Sequence, residues 1–111
     1  MSEEAKKDNV NNPQHYFGHT SLECIEVMRV AFGDRVVMCF CLCNAFKYLW
    51  RFQNKNGEED INKSKWYLDY VYDYIMSSRC EDYYIIECYN RLNDLWLTIQ
   101  NKVLKGEIKL K

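Results

Sequence analysis

The chain has 111 residues, so we expect a single domain that buries about two-thirds of its unfolded surface. Hydrophobic residues make up 48% and aromatic residues 15% of the sequence, which is typical of a globular rather than a disordered chain. With 15 basic and 16 acidic residues the net charge is -1, which argues against general nucleic-acid binding but permits a local basic site.

The 6 cysteines do not indicate a disulfide scaffold, because the first ten residues are polar and charged and form no secretory signal. We expect reduced thiols that act mainly as small buried hydrophobic side chains, not as metal ligands. No apolar run approaches about 20 residues, so the sequence predicts no membrane span. The surplus of aromatic side chains favours a homo-oligomer, in which some rings are buried against another copy.

Residues 1–12 show no apolar periodicity and are predicted to be a flexible N-terminal arm. Order is expected from Pro13, which fixes its own backbone and extends the residue before it. His15 and Tyr16 would then lie on a defined loop, His15 as a phosphate donor or proton-transfer group and Tyr16 as a platform for a base. The alternative is a surface histidine and a tyrosine that anchors the arm.

A first helix is predicted over residues 21–32, since Thr20 and Glu23 form a capping box and Gly33 is a good stop. Glu23 and Glu26 lie on one turn of this helix. Such a pair can bind a divalent cation such as Mg²⁺. Equally, the two glutamates can simply stabilise the positive end of the helix.

The second helix starts at Arg35 and is apolar almost all round through residue 42, which predicts central burial in the domain or at an oligomer interface. A strand over residues 36–43 is the competing interpretation, but the helical pattern that follows argues against it. A turn at residues 54–57 leads into a third helix over 58–77.

The fourth helix is predicted over residues 79–104, opened by a capping box of Ser78 and Glu81 and ended by Gly106. A charged, frayed tail over residues 107–111 should follow. Taken together, these elements predict an all-α fold, a compact bundle of about four helices, in a single domain over residues 13–106.

Two polar stripes flank the turn between the second and third helices. The spacing of three or four residues places each set on one helix face. The first stripe contains Asn44, Lys47, Arg51 and Lys55, and the second contains Asp60, Lys63 and Tyr67. A short connection would make the helices antiparallel neighbours, so that Asp60 orients Arg51 or Lys47 while the cationic groups bind an anion such as phosphate. The alternative is a solvated basic face with ordinary surface pairs.

Three separated blocks of the sequence form a recognisable signature: Pro13-x-His15-Tyr16, then Asn44-Ala45-Phe46-Lys47-Tyr48-Leu49-x-Arg51, and then Lys55, Glu59-Asp60, Lys63 and Trp66-Tyr67-Leu68. In these blocks the chain resembles a small bacteriophage family that includes the lactococcal SaV protein and the early nucleotide kinase of some short-tailed coliphages. The resemblance covers roughly residues 11–76, and Cys43 departs from it where family members tend to carry glycine.

This resemblance implies a phage protein of the host-cell cytoplasm that binds nucleotides, with deoxynucleoside monophosphate kinase activity in at least one branch. A kinase would use ATP, and Mg²⁺ is the candidate metal ion, held either by carboxylates or by the nucleotide alone. No Gly-x-x-x-x-Gly-Lys-Ser/Thr loop is present, so Lys47, Arg51 and Lys63 would bind phosphates, with His15 or Asp60 orienting the acceptor.

Two alternatives remain open from the sequence. The first is a non-enzymatic protein that sequesters a nucleotide signal or contacts a host antiphage-defence protein. The second is an all-α nucleoside triphosphate pyrophosphohydrolase that uses Glu23 and Glu26 for Mg²⁺, although its second acidic motif is not cleanly present.

Overall fold

The computed structural model describes residues 21–110, with the backbone alone for residues 21–23. Four helices occupy most of this range: α1 Ser21–Phe32, α2 Asp34–Arg51, α3 Glu58–Ser77 and α4 Tyr83–Leu104. The predicted all-α class with four main helices is confirmed, as is the choice of helix over strand for residues 36–43. None of these helices is both long enough and apolar enough to cross a membrane.

The described residues divide into two compact units, residues 21–38 and residues 39–110. The predicted flexible arm over residues 1–12 and the predicted Thr20 cap fall outside the described range, and the domain bounds at residues 13 and 106 stay a prediction. In the first unit Ile25 is 4% exposed, and Arg29 near the end of α1 binds two acids. Its Nε donates to Asp34 Oδ1 at 2.8 Å, and its Nη1 lies 3.6 Å from Glu26 Oε1.

Helix α2 is not buried all round, because Val36 is 54% and Phe40 40% exposed. Central burial within the domain is therefore wrong for these two residues, and burial at an oligomer interface stays a prediction. One face of the second-unit part of α2 is buried, with Cys41, Leu42, Ala45 and Leu49 at most 6% exposed. A neighbouring face is open, because Phe46 is 48% and Trp50 77% exposed. Their rings stack on each other at 6.1 Å. The apolar pattern of α2 therefore serves two different surfaces.

The core of the second unit joins α2, α3 and α4. Leu49, Phe52, Ile61 and Ile99 form a buried cluster, and the Trp96 indole donates to the Ile61 carbonyl at 3.3 Å. Apolar side chains near the end of the chain pack against this cluster: Val103, Ile108 and Leu110. The predicted frayed tail is therefore wrong at Ile108 and Leu110.

Gly106 makes this return of the chain possible. Its φ of 76° is readily adopted only by glycine, and the Glu107 N–H reaches the Lys102 carbonyl at 2.9 Å in a Schellman-type ending. The prediction that Gly106 ends the helix is thus correct.

Helix α4 begins later than predicted. Its cap is Asp82, whose carboxylate accepts from the Tyr84 and Ile85 N–H groups. The predicted capping box of Ser78 and Glu81 is wrong, because Ser78 ends α3 and its hydroxyl donates back to the Tyr74 carbonyl. Asp is as good a cap as Ser, so the sequence offered two starts only four residues apart.

The cysteines are free thiols, but only Cys41 is fully buried. Cys24 and Cys43 are exposed, and the remaining three are partly buried: Cys39, Cys80 and Cys88. The expectation that all of them are buried hydrophobic side chains is therefore wrong for Cys24 and Cys43.

Candidate functional site

The turn between α2 and α3 brings the two predicted polar stripes together. Arg51 is the last residue of α2, and Asp60 lies in the first turn of α3. The chain reverses over residues 52–57, where the Gly57 N–H donates to the Phe52 carbonyl at 2.9 Å. Gly57 has φ 55° and ψ -119°, a conformation that a side chain would strain. The sequence Asn-Lys-Asn-Gly therefore produces a reversal tight enough for Arg51 to reach Asp60.

Arg51 and Asp60 form a bidentate ion pair. The Arg51 Nε lies 3.2 Å from both carboxylate oxygens, and its Nη2 lies 3.0 Å from Oδ1. The Asn56 N–H donates to Oδ2 at 3.0 Å. Asp60 is fully buried, whereas the Arg51 side chain is one-third exposed. The hydrogen bond with Asp60 raises the pKa of Arg51, so this guanidinium is permanently charged.

The Tyr48 ring lies at the centre of the cationic residues. The Lys47 Nζ lies 4.4 Å, the Arg51 Cζ 5.0 Å and the Lys63 Nζ 5.6 Å from the ring centroid. The ring of Tyr67 stacks on it at 6.1 Å with an interplanar angle of 14°. This arrangement of Lys47, Tyr48, Arg51, Lys63 and Tyr67 is called the basic cluster below. Cation–π attraction favours the gathering of positive charge around the ring.

The three cations of the basic cluster differ in their partners. Asp60 binds Arg51, and Glu59 binds Lys63 at 3.1 Å. The Lys63 side chain is only 16% exposed, whereas Lys47 is an exposed residue. Lys47 forms no ion pair with any carboxylate in residues 24–110. Its charge is therefore the one in the cluster best placed to meet an incoming anion.

Not every predicted site residue joins the cluster. Asn44 is half-buried one turn earlier on α2, and Lys55 is exposed in the turn. Within the part of the chain that the structure describes, no hydrogen bond, ion pair or ring contact ties the Asn44 or Lys55 side chain to the cluster. His15 and Tyr16 lie outside the described residues.

The predicted metal pair is only half visible, because the Glu23 side chain is not described. Glu26 is exposed and paired with Arg29 at 3.6 Å. Among the described residues, no three His, Cys, Asp or Glu side chains are grouped in a way that could hold a metal ion. Metal binding at Glu23 and Glu26 stays a prediction.

Tyr48 was missed as a site residue by the sequence reasoning. Helical spacing gave the signal, since Tyr48 lies three residues before Arg51, which places the two side chains on one face of α2. Glu59 was also missed, although it lies four residues before Lys63, a spacing that favours an ion pair on one helix face.

An apolar groove lies beside this region, between α2 and α4. It has a volume of about 360 Å³. Its lining consists of Cys39, Leu42, Cys43 and Phe46 from α2, and of Tyr84, Cys88, Arg91 and Leu92 from α4. Each set recurs at three- and four-residue steps, so each helix contributes one face. Arg91 is the one charged side chain in this lining, and its Nη2 pairs with Glu87 at 2.6 Å.

The family comparison bears directly on these two regions. A family model described as a protein of unknown function, DUF3310, matches residues 10–69, which is more than half of the chain. The chain belongs to this family. No match was found among curated proteins, and none among solved structures. The DUF3310 segment contains every predicted site residue, from His15 to Tyr67, whereas all of α4 lies beyond it.

Proposed function

We propose that this DUF3310 protein binds a nucleotide through its phosphate groups at the basic cluster. One observation carries the proposal: three cationic side chains lie within 5.6 Å of the centroid of a single tyrosine ring. Ammonium and guanidinium groups are the side chains that bind phosphate best, and stacked rings suit a base. The resemblance to phage nucleotide kinases supports the same ligand class.

The groups of the cluster would have distinct roles. Lys47, as the exposed and unpaired cation, would bind a phosphate directly, and Arg51 would present the part of its guanidinium that Asp60 does not use. Asp60 is a positioning residue in this proposal, because Arg51 and the Asn56 N–H already occupy both of its oxygens. Tyr67 would contact the base or sugar.

The finer proposal is a non-P-loop kinase for deoxynucleoside monophosphates. A phosphate oxygen of the monophosphate would attack the γ-phosphorus of ATP, the β–γ bridging bond would break, and ADP and a deoxynucleoside diphosphate would leave. Mg²⁺ bound to the nucleotide would neutralise charge on the transferred group. Lys47, Arg51 and Lys63 would hold the phosphates in line, and His15 would orient the acceptor. We place this activity in the cytoplasm of a phage-infected cell.

A second candidate is a binder without turnover, which sequesters a nucleotide signal or presents it to a host defence protein. The hydrogen bonds of Asp60 favour this second candidate. Both of its oxygens already accept from Arg51 or Asn56, and a carboxylate occupied in this way is poorly placed to take a proton from a substrate. The pyrophosphohydrolase alternative gains no support, since Glu26 is paired with Arg29.

The test is a thermal-shift screen of the purified full chain against deoxynucleoside mono- and triphosphates and cyclic nucleotides, with and without Mg²⁺. A ligand at a hundred times its Kd adds about 2.7 kcal/mol to the free energy of unfolding. Inorganic phosphate and the bare nucleoside, screened in parallel, separate the phosphate contribution from that of the base.

A matched pair of variants locates the site. Lys47→Ala should reduce the shift by about half or more at the same nucleotide concentration. Lys65→Ala should retain it, because Lys65 lies outside the cluster and pairs with Asp69. Absence of a shift with every nucleotide would overturn the proposal. If a shift is seen, release of ADP from ATP and a monophosphate distinguishes the kinase from the binder.

A further inference from the structure

The apolar groove and the rings beside it form one continuous surface, which the described residues 39–110 leave exposed. Phe46 lines the groove from α2 and Tyr84 lines it from α4. Trp50 extends the same surface, because its ring stacks on Phe46 at 6.1 Å. These three side chains are 48%, 62% and 77% exposed for Phe46, Tyr84 and Trp50, respectively. Below, this region is called the groove face.

The exposed rings represent a large share of a protein interface. A fully buried aromatic side chain contributes about 150–250 Å², so the open fractions of the three rings offer roughly 300–450 Å² per copy. Two copies would then bury about half of the ~1,600 Å² of a standard interface from three rings alone. Leu92 and Leu95 lie on the same face of α4 and would extend the contact.

The groove face is complementary to itself in shape. Trp50 is the most exposed of the three rings, and it stacks on Phe46, which lines the cavity of about 360 Å³. A two-fold axis converts this into a reciprocal arrangement, because the projecting ring of each copy then meets the cavity of the other. Burial of aromatic side chains in apolar pockets at the centre of an interface supplies most of its binding energy.

The charges at the rim are also self-complementary. Glu87 and Arg91 lie one turn apart on α4, and both side chains are more than 60% exposed. In a two-fold contact that packs α4 against the other α4 in antiparallel orientation, Arg91 faces the partner's Glu87, and the reverse pair forms by symmetry. The net charge of only -1 gives two copies little reason to repel each other.

We propose that a second copy of this chain covers the groove face, giving a two-fold dimer in which α2 and α4 of the two copies pack together. The occupant is an identical chain because one surface supplies the projecting ring, the cavity and both signs of charge. The inference is independent of nucleotide binding, since no residue of the basic cluster lines the groove.

Sedimentation equilibrium of the full chain tests the proposal over a wide concentration range. The wild type should give about twice the 13.4 kDa chain mass. Trp50→Glu should raise the dimer Kd at least about tenfold, because a charge would replace the projecting ring. Leu104→Glu is the matched control, since Leu104 is 83% exposed and does not line the groove, and it should leave the mass unchanged. Circular dichroism of each variant confirms that its helices remain.

Charge variants keep the proposal testable if Trp50→Glu fails to fold. Glu87→Arg and Arg91→Glu should each weaken the dimer, since each places like charges opposite one another, and an equimolar mixture of the two should associate more strongly than either alone. A monomeric wild type at all concentrations would overturn the proposal. A dimer that survives Trp50→Glu, or that Leu104→Glu weakens equally, would show that a different surface pairs the copies.

Discussion

Helix α2 contributes side chains to both the basic cluster and the groove face, but the two regions differ in how their side chains are covered. Beside the cluster, the buried Asp60 is satisfied inside the chain by Arg51 and Asn56. In the groove, the apolar rings stay exposed among the described residues 39–110. A buried charge must be paired within its own molecule, whereas an apolar surface can stay exposed until a second molecule covers it. The cluster is therefore expected to determine stability, and the groove to determine association.

Removal of the carboxylate at Asp60 should have the largest effect on stability. Asp60→Ala deprives Arg51 and the Asn56 N–H of their acceptor and should lower the free energy of unfolding by about 2–4 kcal/mol. The loss is not greater because Arg51 is one-third exposed and can turn to water. Urea denaturation at neutral pH measures it. Asp69→Ala, which breaks the exposed pair with Lys65, should cost less than about 0.5 kcal/mol.

The openness of the groove can be tested by filling it. Cys41 and Cys43 are two residues apart on α2, but Cys41 is 0% exposed and Cys43 lines the groove. Cys41→Leu should therefore cost about 1–3 kcal/mol by overpacking, whereas Cys43→Leu should change stability by less than about 0.5 kcal/mol. Equal losses in chemical denaturation would mean that the groove is as tightly packed as the core.

Lys47 should separate binding from folding. Lys47→Ala should change the free energy of unfolding by less than about 0.5 kcal/mol, since Lys47 has no carboxylate partner among the described side chains. The same variant should weaken nucleotide binding about tenfold or more, because a hydrogen bond to a charged group is worth about 1.5–3 kcal/mol. Calorimetric titration and urea denaturation of one preparation measure both quantities. A large stability loss would make Lys47 a structural residue.

The smallest expected effect is an alkaline one at Tyr89, beside neither region. Burial raises the pKa of Tyr89, and nearby Asp69, Tyr72 and Asp73 raise it further. The folded chain therefore keeps this phenol proton to higher pH than the unfolded chain. The contribution of the neutral Tyr89 phenol to the free energy of unfolding is present below pH ~10 and is lost as the pH rises through the raised pKa. Tyr89→Phe should reduce the loss of stability above pH ~10, whereas Tyr83→Phe, at an exposed position, should not.

The helix bounds were predictable where the sequence carries an unambiguous signal. Gly33 and Gly57, followed by acidic residues, fixed the starts of α2 and α3 to within one residue. The start of α4 was not predictable, because Ser78 and Asp82 are both good caps and only tertiary packing chooses between them. The prediction of a frayed tail failed because two apolar side chains among charged ones show no periodicity. Ile108 and Leu110 nevertheless pack against the core.

The candidate site was predictable to a similar degree. Spacing brought Arg51 and Asp60 together correctly, since the turn is short and the charges are opposite. Spacing could not show that Tyr48 lies at the centre, because that depends on the stacking of Tyr67 from another helix. The spacing also could not show which apolar residues of α2 belong to the core and which to the groove, since burial depends on which helices pack against each face.

The packing of Ile108 and Leu110 against Leu49, Phe52 and Ile61 has a consequence for biosynthesis. A chain emerges from the ribosome with its N-terminal part first, at about 5–20 residues per second. Helices α2 and α3 therefore emerge from the ribosome before Ile108 and Leu110, the side chains that pack against their shared core. The second unit can reach its final packing only after the segment that follows α4 has also emerged, so its core closes later than the emergence of the helices that form it.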